Sequence, residues 1–65
     1  MNTELLQQFA AEINKDWTDG YVATATEDML TVTYNGQLVA TLSINGSIEG
    51  IDQDAVDQLS YMYTR

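Results

Sequence analysis

Apolar side chains open the chain at three-, four- and five-residue steps: Leu5, Leu6, Phe9, Ala10, Ile13 and Trp17. At about 100° per residue they form one stripe, with Gln7, Gln8, Glu12 and Lys15 opposite. The spacing predicts a helix over roughly 3–16, with Trp17 packing at its exit. Thr3 is the expected N-cap, Glu4 suits the dipole at the helix start, and Asp19-Gly20 supplies a stop.

From residue 21 the period becomes two. The segments 21–26, 29–34 and 38–44 alternate and are rich in threonine and β-branched residues, which predicts three strands. Parity then constrains the Asn35-Gly36 turn. Leu30 and Val32 must share a face with Leu38, Ala40, Leu42 and Ile44, all even-numbered, so facing residues must sum to an even number. A two-residue Asn-Gly loop gives an odd sum. The expectation is therefore a three-residue loop, Tyr34-Asn35-Gly36, with Gly36 left-handed in a bulge. At the other turn, Glu27-Asp28 places Tyr21, Ala23 and Ala25 beside Leu30 and Val32. The opposite sheet face then carries Thr24, Thr26, Thr31, Thr33, Thr41 and Ser43, so both helices should pack on the apolar face.

A second helix follows residues 45–50. Asp52 fits its N-cap, Asp54 its first turn, and Ile51 with Val56 a hydrophobic staple. Ala55, Val56, Leu59, Met62 and Tyr63 make the stripe expected to be buried, leaving Asp54, Asp57, Gln58 and Tyr61 outside. The whole chain, 1–65, reads as one α+β domain of two layers in the order α-β-β-β-α. Both helices lie on one face of a three-stranded antiparallel meander. An alternative gives Ser47-Ile48-Glu49 a fourth short strand, closed by Asn45-Gly46.

Composition narrows the function. Ten acidic residues stand against two basic ones, giving a net charge of −8, with no histidine and no cysteine. That supply suits no common catalytic device: the one lysine is Lys15, and Ser43, Ser47 and Ser60 have no adjacent base. The expectation is a protein without catalytic residues, cofactor or metal. The segment 45–56 imitates the start of a calcium loop but fails with Asp52 at its eighth position and Val56 at its twelfth. Direct binding to nucleic-acid phosphates or to membranes is disfavoured by the charge. The start Met1-Asn2-Thr3-Glu4 carries no basic leader, so a cytoplasmic location is expected.

The element order is similar to that of the double-stranded RNA-binding domain. That family grips phosphates with lysines where this chain has Asp52, Asp54 and Asp57, so RNA binding is rejected. Recognition of a basic protein surface is left, with Glu27, Asp28, Glu49, Asp52, Asp54, Asp57 and Tyr61 as candidate contacts. A further resemblance points the same way. Met1-Asn2 and the stretch Asn14-Lys15-Asp16-Trp17-Thr18 resemble anti-CRISPR proteins, small acidic phage proteins that inhibit CRISPR nucleases by mimicking DNA. The resemblance implies a phage-type inhibitor that occupies the nucleic-acid-binding groove of its partner. The competing expectation is a small structural protein, a homodimer or a subunit of an assembly, whose acidity serves solubility and whose edge strand 21–26 is open to pairing.

Overall fold

A computed structural model describes residues 2–17 and 19–64; Met1 and Thr18, which belong to stretches discussed above, and Arg65 lie outside the described residues. The order is α1 (Thr3–Asp16), β1 (Tyr21–Ala25), β2 (Met29–Tyr34), β3 (Gln37–Ser43), β4 (Ile48–Gly50) and α2 (Gln53–Thr64). The strands form one antiparallel sheet in the order β1-β2-β3-β4. The α+β class is as expected, but the sheet has four strands, not three. Ser43 N–H donates to the Ser47 carbonyl (2.9 Å), which closes a three-residue loop with Gly46 left-handed and folds β4 back on β3.

The N-cap of α1 is Asn2 and not Thr3. The Asn2 side chain accepts from the Leu5 amide (2.9 Å), while Thr3 is the first helical residue and donates its hydroxyl to the Glu27 carbonyl (2.6 Å). Both side chains can cap a helix, and the tertiary bond to the β1–β2 turn decides between them. Leu6, Phe9, Ala10 and Ile13 from α1 meet Ala55, Leu59 and Met62 from α2 over Ala23, Leu30, Val32, Ala40 and Leu42 of one sheet face.

Parity is satisfied, at a different place from the one expected. Tyr34 faces Gln37, so Asn35-Gly36 is a two-residue loop, and both residues have positive φ (52° and 86°), the sense of a type I′ turn. The register then shifts inside the strands: Thr33 faces Leu38, whereas Val32 faces Ala40. Val39 is the extra residue, a β-bulge, and beyond it every facing pair sums to an even number. The bulge reverses the orientation expected of Leu38, which is 53% exposed, and buries Val39 in its stead.

The bulge also sets the entry to α2. The Val39 carbonyl accepts from the amides of Ile51 (2.9 Å) and Asp52 (3.3 Å), which holds the chain where it leaves β4. Gly50 faces Ala40 at this point, and a Cβ there would fall on the Val39 carbonyl oxygen and lie 2.8 Å from the Ala40 Cα. Only glycine lets the two backbones approach so closely. Ile51, expected as a staple, is 73% exposed because this same anchoring turns it away from the core. Tyr63 is not buried either; it is 40% exposed, with its ring lodged against Gly46 at the β3–β4 loop.

The second face of the sheet is open. Val22, Thr33 and Leu38 lie side by side on it, as do Thr24, Thr31, Thr41 and Glu49. The outer edge of β1 is closed at its centre. The Asn14 side chain donates to the Ala23 carbonyl (3.0 Å) and accepts from the Ala23 amide (2.8 Å), in the place of a neighbouring strand.

Candidate functional site: an acidic cleft between the helix ends

Strand and helix directions bring the end of α1 and the start of α2 to the same end of the sheet. α1 begins beside the β1–β2 turn, where Thr3 meets Glu27, and ends beside the start of β1. α2 begins where β4 leaves Val39 and runs back toward Gly46. Between the two helix ends lies a cleft of about 350 Å³, lined by Asp16, Trp17, Tyr21, Asp54, Ala55 and Gln58.

Two of its lining residues, Trp17 and Tyr21, are aromatic. The rings of Trp17 and Tyr21 meet edge to face with centroids 5.3 Å apart, and Tyr34 extends the row at 4.7 Å from Tyr21. The Tyr21 hydroxyl donates to Asp52 Oδ2 (2.6 Å), while Asp52 Oδ1 accepts from the amides of Asp54 (3.0 Å) and Ala55 (3.3 Å). Asp52 is thus the N-cap expected from the sequence, and it also fixes the phenol. The carboxylate beside it, together with partial burial, pushes the Tyr21 hydroxyl up to about 12. The same bond, aided by the two amides and opposed by desolvation, holds Asp52 below its ordinary value.

The seven expected contact residues do not form one surface. Glu27 and Asp28 sit at the opposite end of the sheet from Asp52 and Asp54, beside the N-terminus of α1. Glu49 faces Thr41 on the open sheet face. Asp52 is engaged by Tyr21 and the helix cap. Asp54, Asp57 and Tyr61 remain exposed along one stripe of α2, joined by Gln58, with Gln53 Nε2 donating to Asp57 Oδ1 (2.8 Å). The molecule measures 27 × 20 × 19 Å. Fields of exposed charges decay over about 8 Å at physiological salt. The two ends therefore act separately: Glu4 joins Glu27 and Asp28 at one, and Asp16 joins Asp54 around the cleft at the other.

Residues absent from the expected set complete this site: Asp16, Trp17, Tyr21 and Gln58. Asp16 stood in the sequence among the carboxylates at the end of the first helix, and Trp17 at its exit, but nothing local shows that α2 starts opposite them. Among the described residues, no group of three or more acidic side chains is placed to hold a metal, and no helix is long and apolar enough to cross a membrane. Compared with protein-family models, curated proteins and solved structures, the chain matches none.

Proposed function

We propose that this protein is a non-catalytic interaction module that binds a basic surface of a partner protein through the cleft end of the molecule. The observation that carries the reading is that Asp16 and Asp54, from separate helices, both line the cleft, with no hydrogen bond or ion pair from a described residue engaging either carboxylate. With ten acidic and two basic residues, the chain as a whole keeps a net charge of −8. A basic partner can neutralise it. A surface evolved to hold nucleic-acid phosphates offers cations at suitable spacing, and occupying it would make the module an inhibitor of phage type acting in the cytoplasm. Association of this kind is steered by charge, fast and salt-sensitive.

The experiment is affinity capture at low and high salt, with and without competing duplex DNA. The reading expects nucleic-acid-binding proteins to be enriched at low salt and displaced both by salt and by duplex. Capture indifferent to both would overturn it.

A second reading is self-association through the open sheet face. It is favoured by Val22 and Leu38, each more than half exposed on either side of Thr33, on the face that carries Thr24, Thr31 and Thr41. Elsewhere two copies present like charges to each other. Pairing through the edge of β1 is not part of this reading, because Asn14 occupies that edge. Sedimentation across a concentration series decides it; a strict monomer at high micromolar concentration excludes it.

A further inference from the structure

We infer that the cleft receives the guanidinium group of an arginine side chain from the partner. The inference rests on the interaction reading only for the protein that carries the arginine; the chemistry of the cleft is argued from the cleft itself. Small-molecule sites range from about 300 to 1,000 Å³. At about 350 Å³ this one stands at the lower end of that range, with room for the whole of one long side chain. Its lining excludes most occupants. An anion would face Asp16 and Asp54 together. A purely apolar group would strip water from both carboxylates and return no partner to them.

A cation meets two carboxylates and two aromatic rings. Asp16 and Asp54 approach from separate helices, and Trp17 and Tyr21 supply aromatic surface between them. The negative end of the α1 dipole and the positive end of the α2 dipole, the latter capped by Asp52, both lie at this end, so the carboxylates and not the dipoles select the sign of charge. Tyr21 donates its hydroxyl to Asp52, so the phenol keeps its orientation and offers the occupant its ring rather than its proton.

Arginine fits this arrangement better than lysine. A guanidinium is planar, stacks on aromatic rings and carries a fork of donors that binds a carboxylate bidentately. An ammonium is compact and strongly hydrated, and lacks the planar face that stacks on an aromatic ring. The exposed amide of Gln58 offers a further acceptor beside Asp54.

The probe is N-acetyl-L-arginine methylamide, titrated into the intact ¹⁵N-labelled chain at low salt. Trp17 emission and the backbone amide shifts are followed together; Trp17 is the one tryptophan. The expected result is saturable millimolar binding, with the largest shifts at Asp16, Trp17, Asp54, Ala55 and Gln58. The lysine analogue binds more weakly, and the norleucine analogue gives no saturable response. Asp16→Asn and Asp54→Asn each weaken the arginine probe by about 1.5- to 5-fold, the worth of one exposed ion pair. Both positions are exposed, and urea midpoints verify that the variants fold. Glu49→Gln, on the open sheet face, leaves binding unchanged.

Shifts spread equally to Glu27, Asp28 and Glu49, or an equal response to norleucine, would overturn the inference. If the probe does not saturate while capture stays sensitive to salt and duplex, the cleft assignment falls and the interaction reading stands. If the probe saturates at the cleft while capture ignores salt and duplex, the reverse holds.

Discussion

Tyr21 donates its hydroxyl hydrogen to Asp52 over 2.6 Å, joining the first strand to the cap of the second helix across 31 residues of chain. Asp52 is held from the other side by the Val39 carbonyl, the acceptor exposed by the bulge in β3. One short path of hydrogen bonds thus runs from β3 through the α2 cap to β1, and the acidic cleft is built on it. Two consequences follow, one for titration and one for glycine substitution.

The bond affects stability at both ends of the pH scale. Folded Tyr21 keeps its proton up to about 12, against 10.0 ordinarily, first because Asp52 accepts its hydrogen bond and second because of burial. Its contribution is complete below pH 10 and is lost as pH rises toward 12. Asp52 is shifted the other way, below 3.8, chiefly by the same bond. Its contribution is present above that ordinary value and lost as pH falls through the depressed folded value. In a tyrosinate absorbance titration one of the four tyrosines should ionise near 12. Tyr21→Phe should remove that step and flatten the alkaline loss of stability. If the step survives the substitution, it does not belong to Tyr21.

Two glycine-to-alanine changes should both destabilise, for different reasons. At Gly50 the new methyl collides with the backbone of Val39 and Ala40, which cannot move without breaking the bulge. The expected loss is about 1–3 kcal/mol. At Gly36 nothing lies within 4 Å, but φ is +86°, so the cost of about 1–2 kcal/mol is backbone strain alone. Against a total of roughly 3–10 kcal/mol for a domain of this size, either is large. Urea denaturation measures both. Gly50→Asn should be no better than Gly50→Ala, whereas Gly36→Asn should recover part of the loss, since asparagine tolerates positive φ.

Asn14→Ala should do two things at once. Freeing the Ala23 amide and carbonyl costs about 1 kcal/mol, since water reaches the released groups. It also opens the edge of β1 to another strand. Sedimentation should show concentration-dependent association in the variant beyond that of the parent chain. An equally monomeric variant would mean that the edge is protected by something other than Asn14.

Much of this fold is legible in the sequence, and the exceptions share a cause. The stripe Leu6-Phe9-Ala10-Ile13 and the alternation of β1 and β2 are local patterns, and both are realised. The parity of Leu30, Val32, Ala40 and Leu42 correctly required a register correction. Its position was not legible, because Asn35-Gly36 has so strong a preference for the two-residue turn that the extra residue moved to Val39, which carries no local mark of a bulge. β4 has three residues, too few for a period, and the Asn45-Gly46 turn signal offers it only as the alternative reading, which the structure realises. The cleft is less legible than the fold. Asp54 and the Asp52 cap were visible, but the approach of Asp16, Trp17 and Tyr21 comes from packing between segments distant in sequence.

The most direct measurement compares two double variants that remove the same amount of charge. Asp16→Asn with Asp54→Asn neutralises the cleft, and Glu27→Gln with Asp28→Asn neutralises the opposite end. Partner capture is quantified at low salt for each. Docking through the cleft predicts that the first pair abolishes most of the capture while the second leaves it near the parent level. Equal losses from the two pairs would show that only net charge matters, and would contradict a localised binding site at the helix ends.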